Sequence, residues 1–258
     1  MKKITLLTLL IFFSSVAMFS QSVDELISQA DNYATKEFNN QKALETLLKA
    51  EKADKDNWEI LWRISRSYVD IAEHLPAQTD KQKEDQLALY QKSLDYANRA
   101  ITLAPNKSIT YLRRAIANGR VALFKGVFSV IGIVNSVRDD LNKAIKLGNG
   151  GNDVLATAHY VLARTHAKVC EKPYLVRLPL GLGWGEMDDA VKNFKKAIEL
   201  RPNFRMYYVD FARTYITLEN YKGAKELLYK IPSIAEADED DDIVLKDSKQ
   251  LIEQIKNK

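Results

Sequence analysis

Three arginines stand at equivalent positions in three separate segments of the sequence. Each segment runs in the order apolar, small, Arg, hydroxyl, ring. The segments are 64–68 (ISRSY), 162–166 (LARTH) and 211–215 (FARTY), with Arg66, Arg164 and Arg213 at their centres. Arg120, which follows Gly119, is a fourth member if its segment is shifted by four residues. A guanidinium group presents a rigid fork of donors that suits carboxylate or phosphate. The pattern therefore favours recognition of an anionic group.

Two aromatic residues accompany these arginines. Trp62 and Tyr160 precede Arg66 and Arg164 by four residues, which places each pair on one face of a helix. If the segments are equivalent helices of a repeat, all the arginines line one concave groove. That groove would hold a peptide end, an acidic segment or an anionic lipid headgroup. The alternative is that each arginine pairs with an acid on the neighbouring repeat and only stabilises the superhelix.

Other candidate chemistry is weaker. His166 and Cys170 are four residues apart, but two ligands are too few for a metal site, and His166 stands where Tyr215 stands in its own segment. The acidic run 236–242 lacks the glycine and spacing of a calcium loop and suits the dipole of a following helix. No nucleophile elbow or phosphate-binding glycine loop is found. We therefore predict no enzyme activity, no metal and no cofactor.

The elements that position the arginines follow a helical repeat. Large and small residues alternate through residues 188–231, and one full period of 34 residues separates Ala190 from Ala224. Small residues let two helices approach, and Pro202 ends the second helix of its unit. The spacing is that of a tetratricopeptide (TPR) repeat. Related units are found at 22–54, 57–105, 108–147, 153–202 and 204–231. We predict an all-α, right-handed α-solenoid of about five hairpins, capped by a C-terminal helix near 243–255.

Two apolar insertions interrupt this repeat. Residues 124–134 (FKGVFSVIGIV) separate the helices of the third unit, and residues 174–184 (YLVRLPLGLGW) those of the fourth. Both are too short to span a bilayer. They either fold over the groove, as an apolar pocket or a surface for a membrane or partner, or pack on each other as additional core. The second alternative is favoured.

The N-terminus has the order of a secretory signal peptide. Two lysines precede an apolar run at 4–13 and small residues at 14–20. We predict a signal peptide at 1–20 and a solenoid domain at 21–258, in a periplasmic or secreted protein. A retained membrane anchor is the alternative. Without residues 1–20 the chain has 36 basic and 34 acidic residues, which does not favour nucleic acid binding. The single cysteine excludes an intramolecular disulfide.

The order of these segments resembles the regulator of microtubule dynamics family of TPR-like proteins. The similar segments are WEILWRISRSY (58–68), ANGRVALFKG (117–126), residues 158–204 and residues 238–251. They span nearly all of the chain after residue 20, and the chain would be a bacterial, exported member. The resemblance implies a helical, non-enzymatic binding module. In animals the family has been tied to microtubules and, in one branch, to lipid binding.

The function predicted from the sequence is a non-catalytic scaffold that holds a peptide or protein segment in the arginine-lined groove. One alternative is a periplasmic carrier or sensor of a lipid or another amphipathic anion. The other is a purely structural assembly subunit. A closed cavity would favour the carrier and an open groove the peptide scaffold. A groove filled by the C-terminal helix would favour the structural subunit.

Overall fold

The structure of this protein is a computed structural model that describes residues 21–258, so the predicted signal peptide lies outside the described residues. The described part forms twelve α-helices, with short 3-10 helices at Val127–Ser129 and Ile231–Ser233. The α-helices are α1 (Val23–Thr35), α2 (Asn40–Ala53), α3 (Trp58–Glu73), α4 (Asp80–Leu103), α5 (Ser108–Lys125), α6 (Ile131–Leu147), α7 (Gly151–Val169), α8 (Tyr174–Arg177), α9 (Met187–Leu200), α10 (Arg205–Thr217), α11 (Tyr221–Lys230) and α12 (Asp241–Gln254).

Helices adjacent in the chain pack in pairs. The pairs are α1 with α2, α3 with α4, α5 with α6, α7 with α9, and α10 with α11. The short α8 lies in the connection within the fourth pair, and α12 packs against α10 and α11. The all-α solenoid of five hairpins and a C-terminal helix is therefore confirmed. Among the described residues, no helix has the length and apolar character needed to cross a membrane.

The alternation of small and large residues sets the distance between paired helices. Ala190 and Ala197 are fully buried on α9, with Phe194 between them. The Phe194 ring stacks on Phe211 of α10, with ring centroids 5.2 Å apart. α9 ends at Leu200, as predicted from the proline that follows. Because the side chains of the alanines are so small, the helices approach closely while the phenylalanines fill the remaining space.

Local capping fixes where several helices begin and end. Ser22 accepts a hydrogen bond from the backbone N–H of Glu25, whose carboxylate accepts one from the Ser22 N–H, so α1 begins with a capping box. Thr79 and Gln82 form the same motif at the start of α4. Gly148 ends α6 at φ +64°, a left-handed conformation that glycine adopts without steric cost.

The two apolar insertions pack on each other. Val127 and Val134 from the first share a buried cluster with Leu182 from the second and with Val169 of α7. The first insertion is mostly helical, because α6 begins at Ile131, inside the stretch that was predicted to separate two helices. Trp184 donates from Nε1 to Asn135 Oδ1 at 2.8 Å, which joins the insertions by a hydrogen bond.

His166 belongs to the same buried region. Its side chain is buried beneath Trp184, edge-on to the indole ring at 5.2 Å between centroids. Nδ1 accepts a hydrogen bond from the backbone N–H of Glu186 at 3.1 Å. Burial lowers the pKa of His166, which favours the neutral imidazole required by that bond. His166 therefore has a packing role at this position.

An acidic linker, defined here as residues 237–240, connects the fifth hairpin to α12. It crosses to the beginning of the chain, where Asn40 of α2 donates to the Glu239 carboxylate at 2.9 Å. Asp240 Oδ1 lies 3.2 Å from Nε2 of His74, at the end of α3. These acids were expected only to favour the start of α12. The linker instead joins the last part of the solenoid to its first two hairpins.

Candidate binding cavity

A cavity of about 620 Å³ lies at the centre of the described fold. The first helix of every hairpin contributes to its wall: α1, α3, α5, α7 and α10. The acidic linker lines it from the opposite end of the chain, with Asp238, Glu239 and Asp240. Among the described residues, α12 contributes none of the lining. The groove is thus bridged by the linker and is not filled by the C-terminal helix.

Five of the six site residues predicted from the sequence line this cavity: Arg66, Arg120, Arg164, Arg213 and Tyr160. Trp62 is not among the lining residues. Its ring centroid lies 5.4 Å from the guanidinium carbon of Arg66, so it supports that arginine from the side. The repeat register therefore places the arginines on one inner surface.

Each of these four arginines also forms an ion pair with an acid from a neighbouring element. The pairs are Arg66–Asp31 at 2.9 Å, Arg120–Glu73, Arg164–Asp210 at 3.3 Å and Arg213–Asp247 at 2.7 Å. Every pair crosses from one hairpin to the next or to α12. The structural alternative considered for these arginines is therefore realised, and it coexists with their position on the cavity wall.

Asp210 is the centre of the most complete network. It accepts a hydrogen bond from the Tyr160 hydroxyl at 2.7 Å and one from Arg213 Nη1 at 2.6 Å. Arg164 Nη1 donates to the same hydroxyl at 3.1 Å. Burial raises the pKa of Tyr160, and the Asp210 carboxylate raises it further. This side of the cavity is satisfied by the protein's own groups.

On the side formed by α3 and α5, two buried donors lack hydrogen-bond partners, and one of them belongs to a residue that the sequence pattern missed. Nε of Arg66 and Nε of Arg113 are both buried without a hydrogen-bond partner. Arg113 lines the cavity and forms no ion pair among the described residues. Burial and the neighbouring Arg66 lower its pKa to about 10. Because unpaired buried donors are costly, this cluster is suited to an anion.

The position of Arg113 could have been inferred from a second spacing in the sequence, which is separate from the repeated motif. It lies seven residues, about two helical turns, before Arg120, so both side chains share one face of α5. Asp70 and Glu73 follow Arg66 on α3 by four and seven residues, which places all three on one face of that helix. Both acids line the cavity. Burial raises the pKa of Asp70 against the opposing effect of Arg113 and Arg66. The wall therefore contains acceptors as well as donors.

The acidic linker determines the charge balance of the cavity. The lining includes seven basic and seven acidic side chains, and three of the acids belong to the linker. Without those three, seven basic groups would face four acidic ones. The linker thus offsets much of the positive potential that the arginines create in this confined space.

These features define the chain as a TPR-like α-solenoid with an arginine-lined central cavity. A thermophilic TPR protein of Thermus thermophilus has a similar fold, with a TM-score of 0.61 at 17% identity, over 89% of this chain and all of that one. A family model described as "Regulator of microtubule dynamics protein 1-3" matches residues 26–256. The chain therefore belongs to that family, as its sequence indicated.

Mammalian relatives are similar over most of this chain. Mouse regulator of microtubule dynamics protein 1 is 25% identical over 93% of this chain and 77% of its own length. The bovine protein 2 is 27% identical over 85% of this chain. The match spans about half of that bovine protein, 53% of its length. The similarity establishes the family and the helical scaffold.

Proposed function

We propose that the protein is an exported, non-catalytic binding protein whose central cavity holds an amphipathic organic anion. The observation that supports this most directly is the cluster of Arg66 and Arg113, whose Nε donors are buried and unpaired beside the cavity. A carboxylate or phosphate group would satisfy them and reduce the repulsion between the two guanidinium groups. The proposal of export rests on the signal-like order of residues 1–20.

The rest of the ligand would be partly apolar. Aliphatic and aromatic side chains form much of the wall away from the arginine cluster: Val127, Val134, Val137, Val161, Phe194, Phe204 and Met206. A cavity of about 620 Å³ is within the size range of small-molecule sites. A lipid or a similar amphipathic acid would place its charged group on Arg66 and Arg113 and its hydrocarbon against this wall.

A second candidate is an acidic peptide or protein segment, the partner first predicted from the sequence. The specific observation in its favour is the acidic linker, a short non-helical segment that already lies against the cavity. An acidic segment of a partner would make similar contacts once the linker moved aside. We rank it second because the linker bridges the groove that such a segment would enter. A purely structural role is less well supported, since α12 stays outside the cavity.

Native mass spectrometry of the protein purified from its own host would test the proposal. The unmodified protein is expected to carry an added mass that organic extraction releases. The double variant Arg66→Gln, Arg113→Gln should lose about tenfold or more of that occupancy, because each charge-assisted hydrogen bond contributes about 1.5–3 kcal/mol. Arg99→Gln is the matched control, because Arg99 pairs with Glu51 on the outer surface.

The identity of the released material separates the candidates. An amphipathic acid supports the carrier, and an acidic peptide supports the second candidate. A protein without added mass, together with a double variant that binds a fluorescent fatty acid as tightly as the unmodified protein, would contradict the carrier proposal. Circular dichroism of both variants checks that the solenoid remains folded.

A further inference from the structure

A group of apolar side chains points outward at the connection between α7 and α9. We call residues 174–180 the apolar spur. Its exposed side chains are Tyr174, Leu175, Val176, Leu178 and Leu180. Leu175 is 82% exposed, the highest value among the exposed large hydrophobic residues of the described chain. A cluster of exposed apolar residues of this kind marks an interaction surface more often than isolated ones do.

Hydrogen bonds from the buried side chain of Arg177 hold the spur in place. Arg177 is 6% exposed, and its Nη1 donates to the carbonyl oxygens of Gly185 at 2.6 Å and Leu182 at 3.2 Å. Leu182 is fully buried in the cluster formed by the two insertions. The only charged side chain within the spur is therefore folded inward, while its apolar neighbours face solvent. This arrangement makes their exposure a fixed feature of the fold.

Basic side chains outnumber acidic ones around the spur. The insertions and their flanking residues, 123–136 and 171–186, contain three basic residues, Lys125, Lys172 and Arg177, and two acidic ones, Glu171 and Glu186. Lys125 and Lys172 are exposed and form no ion pair among the described residues, unlike nearby Lys168, which pairs with Glu171. Lys172 Nζ lies 5.9 Å from the ring centroid of Phe128, at the junction of the insertions.

We infer that the spur docks the protein on an anionic lipid bilayer. Tyr174, Leu175 and Val176 enter the boundary between headgroups and acyl chains, and the two free lysines contact lipid phosphates. A side chain as exposed as Leu175 needs no complementary pocket in a fluid apolar phase, whereas a protein partner must provide one. The basic charge fits a negatively charged surface. The inference does not depend on what the cavity holds.

Docking would also bring the cavity close to the bilayer. Val127, Val134 and Val169 belong to the buried cluster beneath the spur, and all three line the cavity. Leu123, which is exposed at the same end of α5, is another lining residue. The apolar wall of the cavity therefore continues toward the surface that we assign to the membrane.

Vesicle co-sedimentation would test this inference with residues 21–258, which contain every described helix and core cluster. Residues 1–20 are omitted because their apolar run would itself bind vesicles. The probes are vesicles of phosphatidylcholine with about 30% phosphatidylglycerol, and phosphatidylcholine alone. The unmodified protein should sediment with the anionic vesicles.

The variant Leu175→Asp, Val176→Asp should lose about tenfold or more of its partition coefficient. Tyr229→Asp, Ile243→Asp is the matched control, since both residues are exposed elsewhere.

A second variant tests the charge contribution. Lys125→Glu, Lys172→Glu should weaken binding to the anionic vesicles by about fivefold or more and leave binding to neutral vesicles little changed. Equal sedimentation of the unmodified protein and the spur variant would overturn the inference. Absence of sedimentation with both vesicle types would also overturn it, as would a spur variant that changes only the oligomeric state in light scattering. If the spur double variant unfolds, Leu175→Asp alone provides the same comparison.

The vesicle assay is independent of the cavity assay. The variant Arg66→Gln, Arg113→Gln should sediment with anionic vesicles like the unmodified protein, because its changes lie inside the fold. A protein that binds vesicles but carries no ligand would contradict the proposed function and leave the docking surface supported. A protein that carries the ligand but does not bind vesicles would support the proposed function and contradict the docking surface.

Discussion

At the scale of single residues, four of the arginines that line the cavity divide into two groups. Arg164 and Arg213 are tied to Asp210, which has further support from the Tyr160 hydroxyl. Arg66 and Arg113 keep buried Nε donors without partners. The same residue type therefore stabilises the solenoid on one side and leaves binding capacity on the other. The difference comes from where acids lie on the adjacent helices.

Asp210 is expected to matter for stability. Asp210→Ala removes the acceptor for a buried hydroxyl and the counter-charge for two arginines, so the free energy of unfolding should fall by about 3 kcal/mol. Urea denaturation followed by circular dichroism measures this. The control is Asp139→Ala, whose carboxylate is 65% exposed and pairs with the adjacent Arg138. Its effect should stay within about 0.5 kcal/mol. Equal midpoints for the two variants would contradict the stabilising role of the network.

At the scale of helices, the spacing of small residues determines how closely the hairpins pack. Ala197 is fully buried between α9 and its neighbours. Ala197→Leu should destabilise the protein by about 1–3 kcal/mol through overpacking. Lys195→Leu makes a similar change on an exposed position of the same helix and should have little effect. Thermal unfolding of both variants provides the measurement, and an unchanged melting curve for Ala197→Leu would contradict the packing described for α9.

The sequence was sufficient to predict most of this helical framework. Periodicity placed Ala190, Phe194 and Ala197 in the core because repeat packing depends on neighbours at fixed spacing. The start of α6 was not predicted, since it lies inside an insertion that was expected to separate two helices and that packs on a distant segment of the chain. Arg113 was missed because it lies outside the repeated motif. Whether a guanidinium group is paired depends on acids contributed by other helices, and repeat spacing alone does not specify them.

At the scale of the whole molecule, the acidic linker connects the two ends of the solenoid. Contacts at Asn40 and His74 involve residues more than 160 positions away in the chain. Such contacts could not be inferred from repeat patterns, because the linker is not part of a repeat. They hold the linker against the cavity, where it lines part of the wall and joins the last part of the solenoid to its first two hairpins.

The hydrogen bonds of His74 make this attachment dependent on pH. Nδ1 lies 2.7 Å from the carbonyl oxygen of Asp70, and Nε2 lies 3.2 Å from Asp240 Oδ1. Because both neighbours are acceptors, the imidazole satisfies both only when it is doubly protonated. Burial disfavours that charged form, but the hydrogen bond to Asp70 and the carboxylates of Glu239 and Asp240 raise the pKa of His74 overall.

The linker contact should therefore weaken as the pH rises. A raised folded-state pKa gives stability that is fully present below the ordinary value of 6.5 and is lost as the pH passes through the folded-state pKa. Because His74 is partly exposed, the contribution should be no more than about 1 kcal/mol. Urea midpoints between about pH 6 and pH 8.5 should decline more steeply for the unmodified protein than for His74→Gln, and the two should converge at the upper end. His159→Gln, at a histidine that faces Asn193, should keep the steep decline. Parallel curves for the unmodified protein and His74→Gln would show that the linker is held without the imidazolium.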